Sequence, residues 1–82
     1  MALGYSLRLV QLNGAAAKSL GVELGRACIK HNMPVAVVAQ RLGVSRQTVY
    51  SWFTGASAPR SSTEEKIKTL MDTLSRLPHG KL

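Results

Sequence analysis

Eighty-two residues, 45% of them apolar, with a formal net charge of +7, describe one small basic domain and not a disordered chain. No apolar run approaches the ~20 residues of a membrane span. The N-terminal MALGYSLRLV lacks the basic start and long apolar core of a secretion signal, so a soluble, cytoplasmic chain is expected. One cysteine, Cys28, excludes an internal disulfide.

The first segment, Met1–Asn13, carries two patterns. Leu3, Tyr5, Leu7 and Leu9 alternate with Gly4, Ser6 and Arg8, which suits a strand, while Leu3, Leu7 and Val10 suit one face of a short helix. Three uses fit such an arm: packing on its own domain, a contact with a second copy, or a disordered tail. Asn13-Gly14 marks a break after it.

The next segment is helical. Ser19 is placed as an N-cap, and Glu23 sits early enough to favour the positive end of the helix dipole. Leu20, Leu24, Ala27, Cys28 and His31 recur at helical spacing as an inward stripe. Cys28 reads as a buried small hydrophobe, and His31 as a surface or half-buried structural residue. Gly21 and Gly25, one turn apart, cost roughly 1 kcal/mol each relative to alanine; they point to close approach of another helix, or at Gly25 to a bend. Lys30 and His31 suit the negative pole of the same helix. Asn32-Met33-Pro34 then leads into a new one, where Pro34 can start a helix because its missing N–H would have no partner there.

Val35–Gly55, VAVVAQRLGVSRQTVYSWFTG, organises the chain. Val38, Ala39 and Leu42 share a face of a first short helix. Val49, Trp52 and Phe53 share a face of a second. Gly43 can take the left-handed conformation that ends a helix, Ser45 can cap the next, and Val44 with Val49 has hydrophobic-staple spacing. Small Ala39 permits a close crossing. Two helices joined at about 90–120° by such a turn form a helix-turn-helix. After Gly55, Ala56–Ser62 is a small, polar loop broken by Pro59. A last helix opens at Thr63-Glu64-Glu65, with Ser61 and Ser62 as caps at capping-box spacing. Its inward face is Ile67, Leu70, Met71 and Leu74, and Pro78, His79 and Gly80 end it.

Charge is placed as well as counted. No acidic residue lies between Glu23 and Glu64, an interval holding Arg26, Lys30, Arg41, Arg46, Arg60 and the whole helix-turn-helix. That is the electrostatic footprint of a phosphate-binding surface.

The run Ala39–Gly55 resembles the Cro and lambda-repressor-like helix-turn-helix regulators, most closely the small members encoded by bacteriophages. Ala39, Leu42, Gly43, Val44, Ser45, Val49, Trp52 and Gly55 match in register. The close likeness covers 35–55, and a looser one runs from about Ser19 to Leu77. The resemblance implies an all-α, lambda-repressor-like domain of four helices, or five, with an N-terminal arm over 1–14, the domain over 15–77 and a frayed tail over 78–82. It implies a repressor that binds double-stranded DNA as a homodimer on an inverted-repeat operator in a bacterial host cell. The chain departs from the family pattern at Val35, where a polar residue usually clamps a phosphate. It also departs at Phe53, where Glu is common; packing of Phe53 against the last helix or its loop, or a partner contact, would account for the aromatic.

Taken as a helix, 45–54 turns Val49, Trp52 and Thr48 inward and Arg46, Gln47, Tyr50, Ser51 and Thr54 outward. A recognition helix reads bases from its N-terminal residues. Ser45, Arg46, Gln47 and Tyr50 are therefore the candidate base contacts. Gln47 suits adenine N6 and N7, and Arg46 suits guanine O6 and N7 or a phosphate. Tyr50 suits a thymine methyl or a phosphate. Lys30, Arg41, Ser51, Thr54, Ser57 and Arg60 are the candidate backbone contacts. Two His, one Cys and four acidic residues form no spaced catalytic or metal set, so no enzyme, metal or cofactor is expected. A competing use of the scaffold is docking on a host protein such as RNA polymerase, for which the apolar N-terminus and Phe53 would speak.

Overall fold

Three serines set three helix starts. The Ser6 hydroxyl accepts from Leu9 N at 3.1 Å, Ser19 from Val22 N at 3.3 Å and Ser45 from Thr48 N at 3.1 Å. Each satisfies a backbone N–H that the helix itself cannot. The computed structural model describes residues 5–76 and contains, among them, five helices and no strand. These are α1 (Leu7–Ala15), α2 (Leu20–Lys30), α3 (Val35–Leu42), α4 (Arg46–Thr54) and α5 (Ser61–Ser75). The expectations for Leu3, for Leu77 and for the tail 78–82 lie outside the described residues.

Helix ends follow an equally local rule. Asn32, Gly43 and Gly55 have φ of 57°, 70° and 80°, the left-handed values that stop a helix. In each case the next N–H reaches back five residues: Met33 N to Cys28 O, Val44 N to Ala39 O and Ala56 N to Ser51 O. Each is a Schellman closure, and asparagine is the non-glycine residue best suited to that conformation.

The core is shared by all five helices. Val22, Leu24, Cys28, Val38, Val49, Phe53, Ile67 and Leu74 are fully buried. Each large one contributes about 1.5–3 kcal/mol by leaving water. The largest interface is between α2 and α4, and α3 packs beside α4. Gly21 and Gly25 explain the first of these. A β-carbon at Gly21 would lie 2.9 Å from Trp52 Cβ, and one at Gly25 would lie 2.8 Å from Phe53 Cγ. The two glycines are thus a flat strip on which α4 rests, and not a bend.

Several expectations are corrected. The first segment is not a strand: from Leu7 it is the short helix of the second pattern, packed on its own domain, but its buried residues are Leu9 and Asn13, one turn apart, and not Leu7. The alternation of leucines misleads because Leu7 is 68% exposed and does not share a face with Leu9. Asn13-Gly14 is no break, since α1 runs through it to Ala15. Ser61 and Ser62 do not cap α5; Arg60 holds the N-cap position and no side chain closes it. Phe53 is fully buried, in the same core cluster as Ile67, Leu70 and Leu74 of the last helix, and it also lies against Gly25 and Tyr5, whose ring is 6.2 Å away at 28°. His31 is buried.

Candidate nucleic-acid interface

The buried side of α4 decides where its other side points. Val49, Trp52 and Phe53 are locked in the core, and Val44 packs against it just before the Ser45 cap. Arg46, Gln47 and Tyr50 are consequently exposed, Tyr50 to 45%. Ser45, also exposed, shares its hydroxyl with Thr48 Oγ1 at 2.9 Å while accepting from Thr48 N. Ser51 and Thr54 are half-buried. The Thr54 hydroxyl donates to Tyr50 O at 3.0 Å, so its single proton is already engaged inside the helix.

The candidate backbone contacts divide into separate places. Ser57 and Arg60 line, with Ser45 and Thr48, a groove of about 450 Å³ between the starts of α4 and α5 whose lining is part polar and part apolar, Val44, Trp52 and Ala58 supplying the apolar part. Ser62 and Thr63 line the same groove, two residues that the sequence reading assigned to capping or to opening α5. The signal for them is the uncapped start of α5, whose free N–H groups favour an anion. Arg41 lies elsewhere, in a depression shared with Glu65 and Lys66 between α3 and α5. Lys30 lies in another, with Arg26 and His31, between α2 and α5. The groove therefore gathers Ser45, Ser57 and Arg60, while Lys30 and Arg41 stand apart.

Charge reinforces the division. The two described salt bridges are Lys18 to Glu23 at 3.8 Å and Arg76 to Asp72 at 2.9 Å, so Arg41, Arg46 and Arg60 enter none among the described residues. Arg26 is committed differently: its Nη2 donates to Ala16 O at 3.3 Å and to Asn13 O at 3.5 Å, closing the end of α1. Val35 is buried and offers no polar group.

Behind this surface two titratable groups are held neutral by burial. Desolvation pushes the Cys28 thiol up to about 12 and raises the Tyr5 phenol above its ordinary range. The Tyr5 hydroxyl donates to Met33 O in the turn before α3. No helix among the described residues is long and apolar enough to cross a membrane.

The family model for the helix-turn-helix matches residues 24–75, from the middle of α2 to the end of α5. The chain belongs to the helix-turn-helix family, in its Cro and lambda-repressor-like form. This helix-turn-helix protein is thus a DNA-binding transcription regulator, and the matched segment contains the whole of α3 and α4. No curated protein and no solved structure matches it. Its α1 lies wholly before the matched segment.

Proposed function

We propose that the protein is a sequence-specific repressor of the Cro type, of phage or prophage origin, that lays α4 in the major groove. The observation carrying this reading is the exposed ribbon Ser45, Arg46, Gln47 and Tyr50 on a helix whose opposite side is locked in the core. Arg46 carries the paired donors that suit guanine O6 and N7, and Gln47 the donor and acceptor that suit adenine N7 and N6. Tyr50 supplies an apolar ring to a thymine methyl. Arg60, Ser57 and the open start of α5 hold a phosphate beside the groove, fixing register without reading sequence. Ser51, Arg41 and Lys30 extend the backbone contacts, whereas Thr54, whose hydroxyl proton is held by Tyr50 O, has no donor left for a phosphate.

A single small module makes few contacts, so the reading includes a homodimer on an inverted-repeat operator. Two copies of α4 about 34 Å apart would meet successive major grooves on one face of the duplex. Repression then requires only occupancy. Selection of bound sites from random DNA, read with the mass of the protein and of its complex in solution, tests all of this. A palindromic site with half-sites one turn apart, bound by two copies, is the expected result. An asymmetric site bound by one copy would overturn the dimer, and no enriched site would overturn sequence reading.

A second reading rests on Leu7, 68% exposed on α1. The same scaffold can dock by an apolar face on a host protein such as RNA polymerase. Phe53 no longer supports this reading, because it is fully buried. Absence of DNA binding at low salt would favour it.

A further inference from the structure

Asn13 is 2% exposed, and its side-chain amide bridges two helices. One Nδ2 donates to Phe53 O in the last turn of α4 at 2.7 Å and to Val22 O on α2 at 3.1 Å. The bridge crosses α2 at Gly25, where a β-carbon would lie 2.6 Å from Asn13 Nδ2. A helix leaves its last four carbonyls unpaired. In α4, those of Ser51 and Trp52 are met by the N–H groups of the following turn. That of Phe53 is met by a side chain forty residues earlier in the chain. Tyr5, just before α1, stacks on the Phe53 ring and bonds the turn ahead of α3. Asn13 and Tyr5, which make these contacts, both lie outside the segment that the family model matches.

We propose that Asn13 is a positioning residue for DNA reading: its amide fixes where α4 ends and how α4 lies on α2. The proposal rests on the reading of α4 as the recognition helix. An amide is the needed chemistry, because its N–H groups serve the Phe53 carbonyl, which α4 leaves without a helical partner, while also reaching the Val22 carbonyl inside α2. An ionised aspartate offers no donor, and alanine leaves the Phe53 carbonyl without one. Base contacts depend on the placement of α4, whereas binding to random DNA follows charge. Loss of the bridge should therefore lower affinity for the selected site more than affinity for random DNA.

The test compares Asn13→Ala and Asn13→Asp with Leu9→Ala in the full chain. Leu9 is buried on the same face of α1, one turn earlier, and makes no link to either carbonyl. In the Asn13 variants, the amides of Trp52, Phe53 and Thr54 should exchange with solvent about tenfold faster or more, relative to the slowest core amides. In Leu9→Ala, all slow amides should lose protection together. Where the variants are folded, the ratio of affinity for the selected site to that for random DNA should fall about fivefold or more in the Asn13 variants and stay level in Leu9→Ala. If Asn13→Ala does not fold, Asn13→Ser, which keeps one donor, takes its place. Uniform loss of protection in the Asn13 variants, or an unchanged affinity ratio, overturns the proposal. If the unsubstituted protein prefers no site, the DNA-reading assignment fails instead, and the exchange measurement alone decides whether Asn13 holds α4.

Discussion

At Gly21 the backbone of α2 lies so close to Trp52 that an added β-carbon would meet Trp52 Cβ at 2.9 Å and its carbonyl oxygen at 3.0 Å. The contact sets how deeply α4 sits in the molecule, and hence how far its opposite side stands out. Gly14, in α1, has nothing within 4 Å of the same position. One substitution should therefore act with opposite signs. Gly14→Ala should stabilise by a few tenths up to about 1 kcal/mol through helix propensity. Gly21→Ala should destabilise, because overpacking costs about 1–3 kcal/mol against a similar propensity gain of at most ~1 kcal/mol. Urea midpoints of the two variants check this; a stabilised Gly21→Ala would contradict the close packing of α2 on α4.

Ser45 separates folding from binding. Ser45→Ala removes the cap of α4 and should cost about 1 kcal/mol of stability. Ser45→Asp keeps a capping oxygen and suits the positive end of the helix, so its stability should stay near that of the unsubstituted protein. Its DNA affinity should nonetheless fall, since a carboxylate would then face phosphates. Urea unfolding and a DNA titration on the same samples read both effects. Full DNA affinity in Ser45→Asp would mean that the start of α4 does not face the duplex.

Much of this arrangement was legible because it follows local rules. Gly43, Ser45, Val44 and Val49 specify a turn and a helix start within seven residues, and Val49, Trp52 and Phe53 specify which side of α4 is buried. Gly21 and Gly25 announced a close neighbour, though not which helix. What escaped depends on pairs far apart in the chain. Nothing near Asn13 indicates that its amide meets Phe53, and by residue type Asn13-Gly14 signals a turn. The leucine alternation of α1 misled because exposed Leu7 has the same chemistry as buried Leu9. Ser61 and Ser62 have capping spacing to Glu64 and Glu65, yet α5 begins at Ser61 itself, too early for either to serve.

The buried thiol gives a pH dependence with a definite sign. The folded state holds Cys28 protonated up to about 12, against an ordinary value of 9.0. Above pH 9 the unfolded state releases a proton that the folded state keeps, so stability falls as pH rises. It is fully present below pH 9, and one such group contributes a slope of about 1.4 kcal/mol per pH unit between the two values. Tyr5, also raised, adds to the decline above its own ordinary value of 10.0. Cys28→Ala should be less stable at pH 7 but should lose less between pH 9 and pH 10. Urea unfolding across that range checks it; equal slopes in the two proteins would contradict a buried, neutral thiol.

Arg60 tests the phosphate groove. Arg60→Ala should weaken binding to specific and random DNA alike and reduce the slope of log affinity against log salt by about 1. A titration at several salt concentrations reads the slope directly. An unchanged slope would remove Arg60 from the phosphate contacts.

The central claim is that the outward side of α4 reads base edges. Affinity of Gln47→Ala for the selected operator and for random DNA, measured side by side at one salt concentration, tests it most directly. A loss of roughly 1–3 kcal/mol on the operator with little change on random DNA is expected. Equal losses on both, or no loss on the operator, would contradict it.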